Sequence, residues 1–251
     1  MSGHSKWSSI KHQKGVADAK RGQLFTKIAR EIIVAVREGG SNPDGNIRLR
    51  LTIQKARDNN MPMENIDRAI KRGSGDMEGT ILVELALEGR GPGGTAIIVQ
   101  ATSDNRNRIL QEIRNTFSRG GGSLGENGSV AWLFDSKGVI TVETDGLDTD
   151  ALTLQAIDAG AEDVQVEDSH VEIFTKPDEL MAVRAALEQA KIPVASAELS
   201  MIPKMPIELE EKAALQTLKL LNKLEELDDV QNVYSNVNFS DAILEKYQEQ
   251  A

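Results

Sequence analysis

The 251-residue chain has no cysteine, which excludes disulfides, thiolate zinc sites and cysteine nucleophiles. Aromatic residues make up only 4%, and His4 and His12, eight residues apart in the basic tail, have no ligand-spaced acid or cysteine near them, so no metal site is expected. No apolar run approaches membrane-spanning length, and the N-terminus, Met1-Ser2-Gly3-His4-Ser5-Lys6-Trp7, has no apolar signal core. The expectation is a soluble, cytoplasmic protein. No constellation suits an active site, a metal or a cofactor, and the chain reads as a non-enzyme. Gly121-Gly122-Ser123-Leu124-Gly125 matches a hydrolase nucleophile elbow, but a helix precedes it and a strand follows, the reverse of what an elbow needs. The glycines of 89–94 lie between two strands with no Gly-Lys-Ser/Thr after them, which describes a hairpin and not a phosphate loop.

What is present is an uneven charge. Residues 1–75 carry 15 Lys and Arg against 7 Asp and Glu, whereas the remaining 176 carry 14 against 32. Local charge, not the net of −10, sets the field that a phosphate backbone meets. A basic module on an acidic body therefore points to a nucleic-acid partner, and the acidic part offers a surface for a protein partner.

Periodicity predicts an α+β fold: an N-terminal three-helix bundle followed by two ferredoxin-like α+β domains, one inserted in the other. After a polar, basic segment 1–17, Leu24, Phe25, Ile28, Ile32 and Val36 form a helical stripe closed by Gly39-Gly40. A second helix over 46–59 is apolar on two faces, Ile47 with Leu51 and Leu49 with Ile53 and Ala56. A third starts near Pro62 and ends at Lys71-Arg72. Alternation then predicts strands at 81–88 and 95–102, a helix over 105–118 and a strand at 130–134. Residues 138–202 read β-α-β-β-α-β, the split unit. A Leu-rich helix over 208–227 and a strand near 231–239 complete the outer domain. The expected domains are 1–78, then 79–135 plus 205–240, with 136–204 inserted.

Candidate nucleic-acid contacts follow from charge and placement: Lys6, Trp7, Lys11, His12, Lys14, Lys20 and Arg21 in and after the tail, then Lys27 and Arg30 on the first helix. Arg48, Arg50 and Arg57 lie on the second helix, and Arg106 and Arg108 at a helix start. Cations neutralise phosphates and Trp7 can stack on a base. In Ser103-Asp104-Asn105-Arg106-Asn107-Arg108, Ser103 or Asp104 can cap the helix, and free amides with two arginines suit an anion; an ordinary cap with exposed arginines is the alternative.

These stretches also carry a resemblance. GHSKW at 3–7, IKHQK at 10–14, DAKRG at 18–22, FTKIAREI at 25–32, NNMP at 59–62, GPGGTA at 91–96, SDNRNR at 103–108, GGSLGENGSVAWLF at 121–134 and SMIPK at 200–204 are similar to the YebC/PmpR family. The family's mitochondrial relative is the translational activator of cytochrome oxidase. Many members have an aromatic where this chain has Arg90. The resemblance implies a cytoplasmic, three-domain bacterial protein. It implies either a DNA-binding regulator of transcription or a ribosome-associated translation factor that relieves stalling at stretches such as proline runs, gripping rRNA or tRNA through its basic domain.

Overall fold

A computed structural model describes residues 18–75, 77, 81–167 and 169–250. The described part divides into two compact units: one contains the residues up to Val34, Gly75–Asp135 and Ile202 onward; the other contains Ala35–Ser74 and Ser136–Met201.

Helix α1 (Asp18–Gly39) begins in the first unit and ends in the second. Its predicted stripe is real: Ile28, Ile32 and Val36 are buried and Leu24 and Phe25 half-buried. Gly40, at φ +84, ends it with a hydrogen bond from its N–H to the Val36 carbonyl. Helix α2 (Ile47–Asp58) is capped by Asn46, whose side-chain oxygen accepts from the Leu49 N–H. Asn46 also donates to the Ala35 and Gly40 carbonyls, fixing the turn between the helices. Leu49, Ile53 and Ala56 are buried as expected, but Ile47 is exposed. Helix α3 (Met63–Ser74) buries Ile66, Ala69 and Gly73 and turns its other face to solvent.

In the first unit, β1 (Val83–Arg90) and β2 (Ala96–Ser103) form an antiparallel hairpin, Val83 opposite Ser103 and Arg90 opposite Ala96. Helix α4 (Arg106–Arg119) leads to a two-residue strand, β3 (Ser123–Leu124), paired with Gly89 and Arg90. Helix α7 (Glu211–Glu225) and β8 (Val230–Ser235) return the chain from the insertion, giving sheet order β3-β1-β2-β8. Ile97, Val99, Ile109, Ile113, Phe117, Leu218, Leu221 and Leu224 share the core between this sheet and its two helices. The Leu stripe of α7 is thus a packed face. Helix α8 (Asp241–Gln250) adds Leu244 to the same core.

In the second unit, β4 (Phe134–Glu143), α5 (Thr149–Asp158), β5 (Asp163–Val166), β6 (His170–Thr175), α6 (Leu180–Gln189) and β7 (Val194–Pro203) give order β5-β6-β4-β7, the ferredoxin-like arrangement. The outer sheet has the same build, helices on a four-stranded sheet, with a hairpin-first connectivity of its own.

Besides helix α8, which the sequence reading lacks, two elements of the 121–134 stretch differ from it. Residues 130–134 do not form a strand of the outer sheet. Ala131–Leu133 is a 3₁₀ turn, and Phe134 opens β4. The edge position falls to β3 instead, inside the glycine-rich loop. There an added Cβ at Gly122 would lie 2.5 Å from the Arg90 carbonyl oxygen, so the close approach of β3 to the end of β1 requires glycine. Ser123 sits on that edge strand, not on a strand-to-helix elbow. Among the described residues, no helix is long and apolar enough to cross a membrane.

Candidate nucleic-acid interface

Lys6, Trp7, Lys11, His12 and Lys14 lie outside the described residues. Lys20 falls in the first turn of α1, and Arg21 next to it is exposed.

The next two predicted contacts face the chain itself. Gln23, Lys27 and Arg30 recur at helical spacing along α1 and meet the end of α7. Gln23 donates to the Glu226 carbonyl at 2.9 Å and to Asp228 at 2.8 Å. Lys27 donates to the Glu225 carbonyl at 2.7 Å, and Arg30 to the Asp228 carbonyl at 2.6 Å. The last carbonyls of a helix lack intrahelical partners and carry its negative dipole end, so a row of donors with two cations suits them.

Arg30 also reaches Asp229 at 2.8 Å, and Arg108 meets the other oxygen of that carboxylate at 2.6 Å. Ser103 donates to Asp229 at 2.6 Å, and Arg108 additionally pairs with Asp104 at 2.9 Å. Asp229 is buried; burial pushes its carboxyl up, but the Ser103 hydroxyl and the Arg108 and Arg30 guanidinia outweigh this and hold it below the usual aspartate value. The serine and arginine of the SDNRNR stretch therefore do gather an anion, which is the chain's own Asp229. The cap of α4 is neither Ser103 nor Asp104 but Asn105, whose side chain accepts from the Arg108 N–H. Asp104 and Asn107 stay exposed, as does Arg106, which has no partner among the described residues.

On α2, Arg48 pairs with Glu38 and Arg50 is half-buried. Arg57 is exposed without a partner among the described residues. A row absent from the sequence-based set lies on α3: Arg68, Lys71 and Arg72 are all exposed and likewise unpartnered among the described residues. Lys71 and Arg72 stand one helical turn on from Arg68, opposite buried Ile66, Ala69 and Gly73. That spacing was legible in the sequence as the polar complement of an apolar stripe.

The loop after β3 has its own anchor. Glu88, buried at the end of β1, accepts backbone hydrogen bonds from Gly128 at 2.6 Å, Val130 at 2.7 Å and Ala131 at 2.8 Å. Burial raises its pKa, yet the three N–H donors prevail and the carboxyl is held below the ordinary glutamate value. The turn so fixed presents Trp132 to solvent, 63% exposed.

The N-terminal model of the TACO1/YebC family matches residues 5–76, and its model of the second and third domains matches 82–237. The chain belongs to the TACO1/YebC family. A probable transcriptional regulatory protein of Dehalococcoides mccartyi strain CBDB1 is 58% identical over the full length of both chains. One from Herpetosiphon aurantiacus, also described as a probable transcriptional regulatory protein, is 51% identical over the same extent. Among solved structures, a conserved hypothetical protein of Aquifex aeolicus is similar with a TM-score of 0.83 and 44% identity. The match covers 92% of this chain and 98% of that one. Within this TACO1/YebC chain, then, Lys27, Arg30, Arg48 and Arg108 close internal contacts, whereas Arg57, Arg68, Lys71, Arg72 and Arg106 are exposed without partners among the described residues.

Proposed function

We propose that this chain is a cytoplasmic, non-enzymatic, nucleic-acid-binding regulator of gene expression, of the transcriptional kind that its relatives' names carry. The observation behind this reading is the exposed row Arg68, Lys71 and Arg72 on α3, joined in the same basic module by Arg57 and by the cations of the N-terminal segment. Such a row grips phosphates without reading sequence. The alternative target, rRNA or tRNA on the ribosome in a translation factor that relieves stalling, is favoured by the exposed Trp132, since an indole stacks on bases that are not already stacked.

A protein partner has a separate foothold on the acidic insertion. Residues 136–201 carry 14 Asp and Glu against 4 Lys and Arg, and α5 exposes Leu154 and Ile157 on adjacent turns.

The test is charge reversal. Arg68→Glu, Lys71→Glu and Arg72→Glu together should weaken binding to duplex DNA and to purified ribosomes. If each cation meets one phosphate, the salt-dependence slope falls by about 3. Unchanged affinity and slope for both targets would refute the reading. Sucrose-gradient sedimentation of lysate separates its two forms: comigration with ribosomes that a high-salt wash removes selects the translation factor, and confinement to the soluble fractions selects transcription.

A further inference from the structure

Trp132 is one of only two tryptophans in the chain, and the fold holds it out in solvent on a fixed support. The Glu88 carboxylate pins the N–H groups of Gly128, Val130 and Ala131, so the turn that carries the indole is clamped directly before it. Two further strands of chain are tied to the same turn. The Arg90 guanidinium, otherwise exposed, reaches the Ser129 carbonyl at 3.5 Å. On the other side the Lys204 N–H donates to the Leu133 carbonyl at 2.8 Å, and Met205, next in the chain, is 72% exposed. The Lys204 ammonium lies 3.3 Å from Asp135 with both side chains about half exposed, a pair that water and competing anions readily open. Glu126 is exposed in the same loop and Asp135 is about half exposed, so Arg90 and Lys204 stand against two carboxylates and are the two groups there that an approaching phosphate can engage.

An exposed ring on a clamped turn, with a cation on each of the two segments tied to that turn, fits a particular ligand. A nucleobase that has left its stack offers a π-face to the indole and brings phosphates on both flanks. A base inside a duplex cannot reach the ring, because both of its faces are covered by its neighbours. We infer that the 128–133 turn is a stacking platform for an unpaired nucleobase, with Trp132 against the ring and Arg90 and Lys204 meeting the adjoining phosphates. This rests on the nucleic-acid reading above and specifies what that reading left open: the ligand contains single-stranded nucleotides.

The test uses the full chain carrying Trp7→Phe, so that all tryptophan emission comes from Trp132. A mixed-sequence 12-mer RNA should quench that emission saturably, and the same sequence as a duplex should not. In the otherwise unaltered chain, Trp132→Ala should weaken binding of the single strand about 5- to 100-fold, Trp132→Phe should restore most of it, and duplex affinity should stay as it was. Because the side chain is solvent-exposed, thermal melts of these variants should match the parent. Single-strand affinity that ignores Trp132→Ala overturns the platform. If the α3 charge reversal still abolishes binding in that case, the regulator reading stands without it; if neither variant matters, both fall. Emission that responds to nuclease-treated extract but not to oligonucleotide assigns the turn to a protein and overturns the proposal as well.

Discussion

Replacing Glu88 by glutamine changes one atom and removes a charge from the point where three backbone N–H groups converge. In the parent, one carboxylate oxygen serves Gly128 and the other serves both Val130 and Ala131. The amide keeps one acceptor oxygen. If that oxygen takes the Val130 and Ala131 side, the new NH₂ group faces the Gly128 N–H, donor against donor, and the two remaining bonds lose their charge assistance, which roughly halves them. The opposite orientation strands two donors, one of them buried. Since a bond to a charged group contributes about 1.5–3 kcal/mol and an unsatisfied buried donor costs about 1–3 kcal/mol, the better orientation loses about 2–3 kcal/mol. With a urea m-value of about 2 kcal/mol/M, the midpoint falls by about 1–1.5 M. Fluorescence-detected urea unfolding in the Trp7→Phe background reads this where it acts, because Trp132 follows the clamped residues directly. The pH dependence supplies an independent check. The folded carboxyl titrates below its unfolded value, so its stabilisation is complete above the ordinary glutamate pKa and is lost as pH falls through the lower folded value. The gap between parent and Glu88→Gln should therefore be full at pH 7 and close below about pH 4. A midpoint shift under about 0.2 M at pH 7, on the same m-value, or a gap unchanged by acid, would refute the role assigned to the carboxylate.

Three further substitutions probe the buried charges. Asp229→Asn should cost about 2–3 kcal/mol at pH 7 in a thermal melt, because Arg30, Arg108 and Ser103 lose a charged acceptor. The depressed Asp229 carboxyl makes that cost fade as pH drops below about 4. In the second unit, Arg184 is 5% exposed and forks onto both Asp58 oxygens at 3.0 and 3.2 Å. Asp58→Ala should destabilise by about 3 kcal/mol, and Arg184→Met in the same chain should recover part of the loss, since the two guanidinium NH₂ groups are left without Asp58 while only Nε keeps its partner, Glu188 at 2.8 Å.

Much of the architecture was legible because it is written at short range. Ile28, Ile32 and Val36 mark α1 by their spacing alone, and the β-α-β-β-α-β order of 134–203 follows from alternating periods. The turn at 131–133 was not legible. Val130-Ala131-Trp132-Leu133-Phe134 has the length and apolarity of a strand, and what bends it is a carboxylate more than 40 residues earlier in the chain. Helix α8 was missed although Ile243, Leu244 and Tyr247 carry a helical spacing, each packing on the outer core. The α3 row is legible in the same way, as Arg68, Lys71 and Arg72 fill the polar side of the Ile66, Ala69 and Gly73 stripe.

The arginines show why charge counting finds a module sooner than a site. Lys27 and Arg30 belong to the basic N-terminal segment by sequence, but their acceptors lie about 200 residues downstream at the end of α7. No local pattern distinguishes them from Arg68 or Arg72. Desolvation does: a cation beside a buried carboxylate is already neutralised, and moving it onto a phosphate would strand Asp229 in the interior. A row with no described partner gives up only hydration that counterion release returns. On the function proposed above, the phosphate contacts are therefore expected from exposed cations such as Arg68, Lys71 and Arg72, while Arg30 and Arg108 hold Asp229, and with it the start of β8, in place.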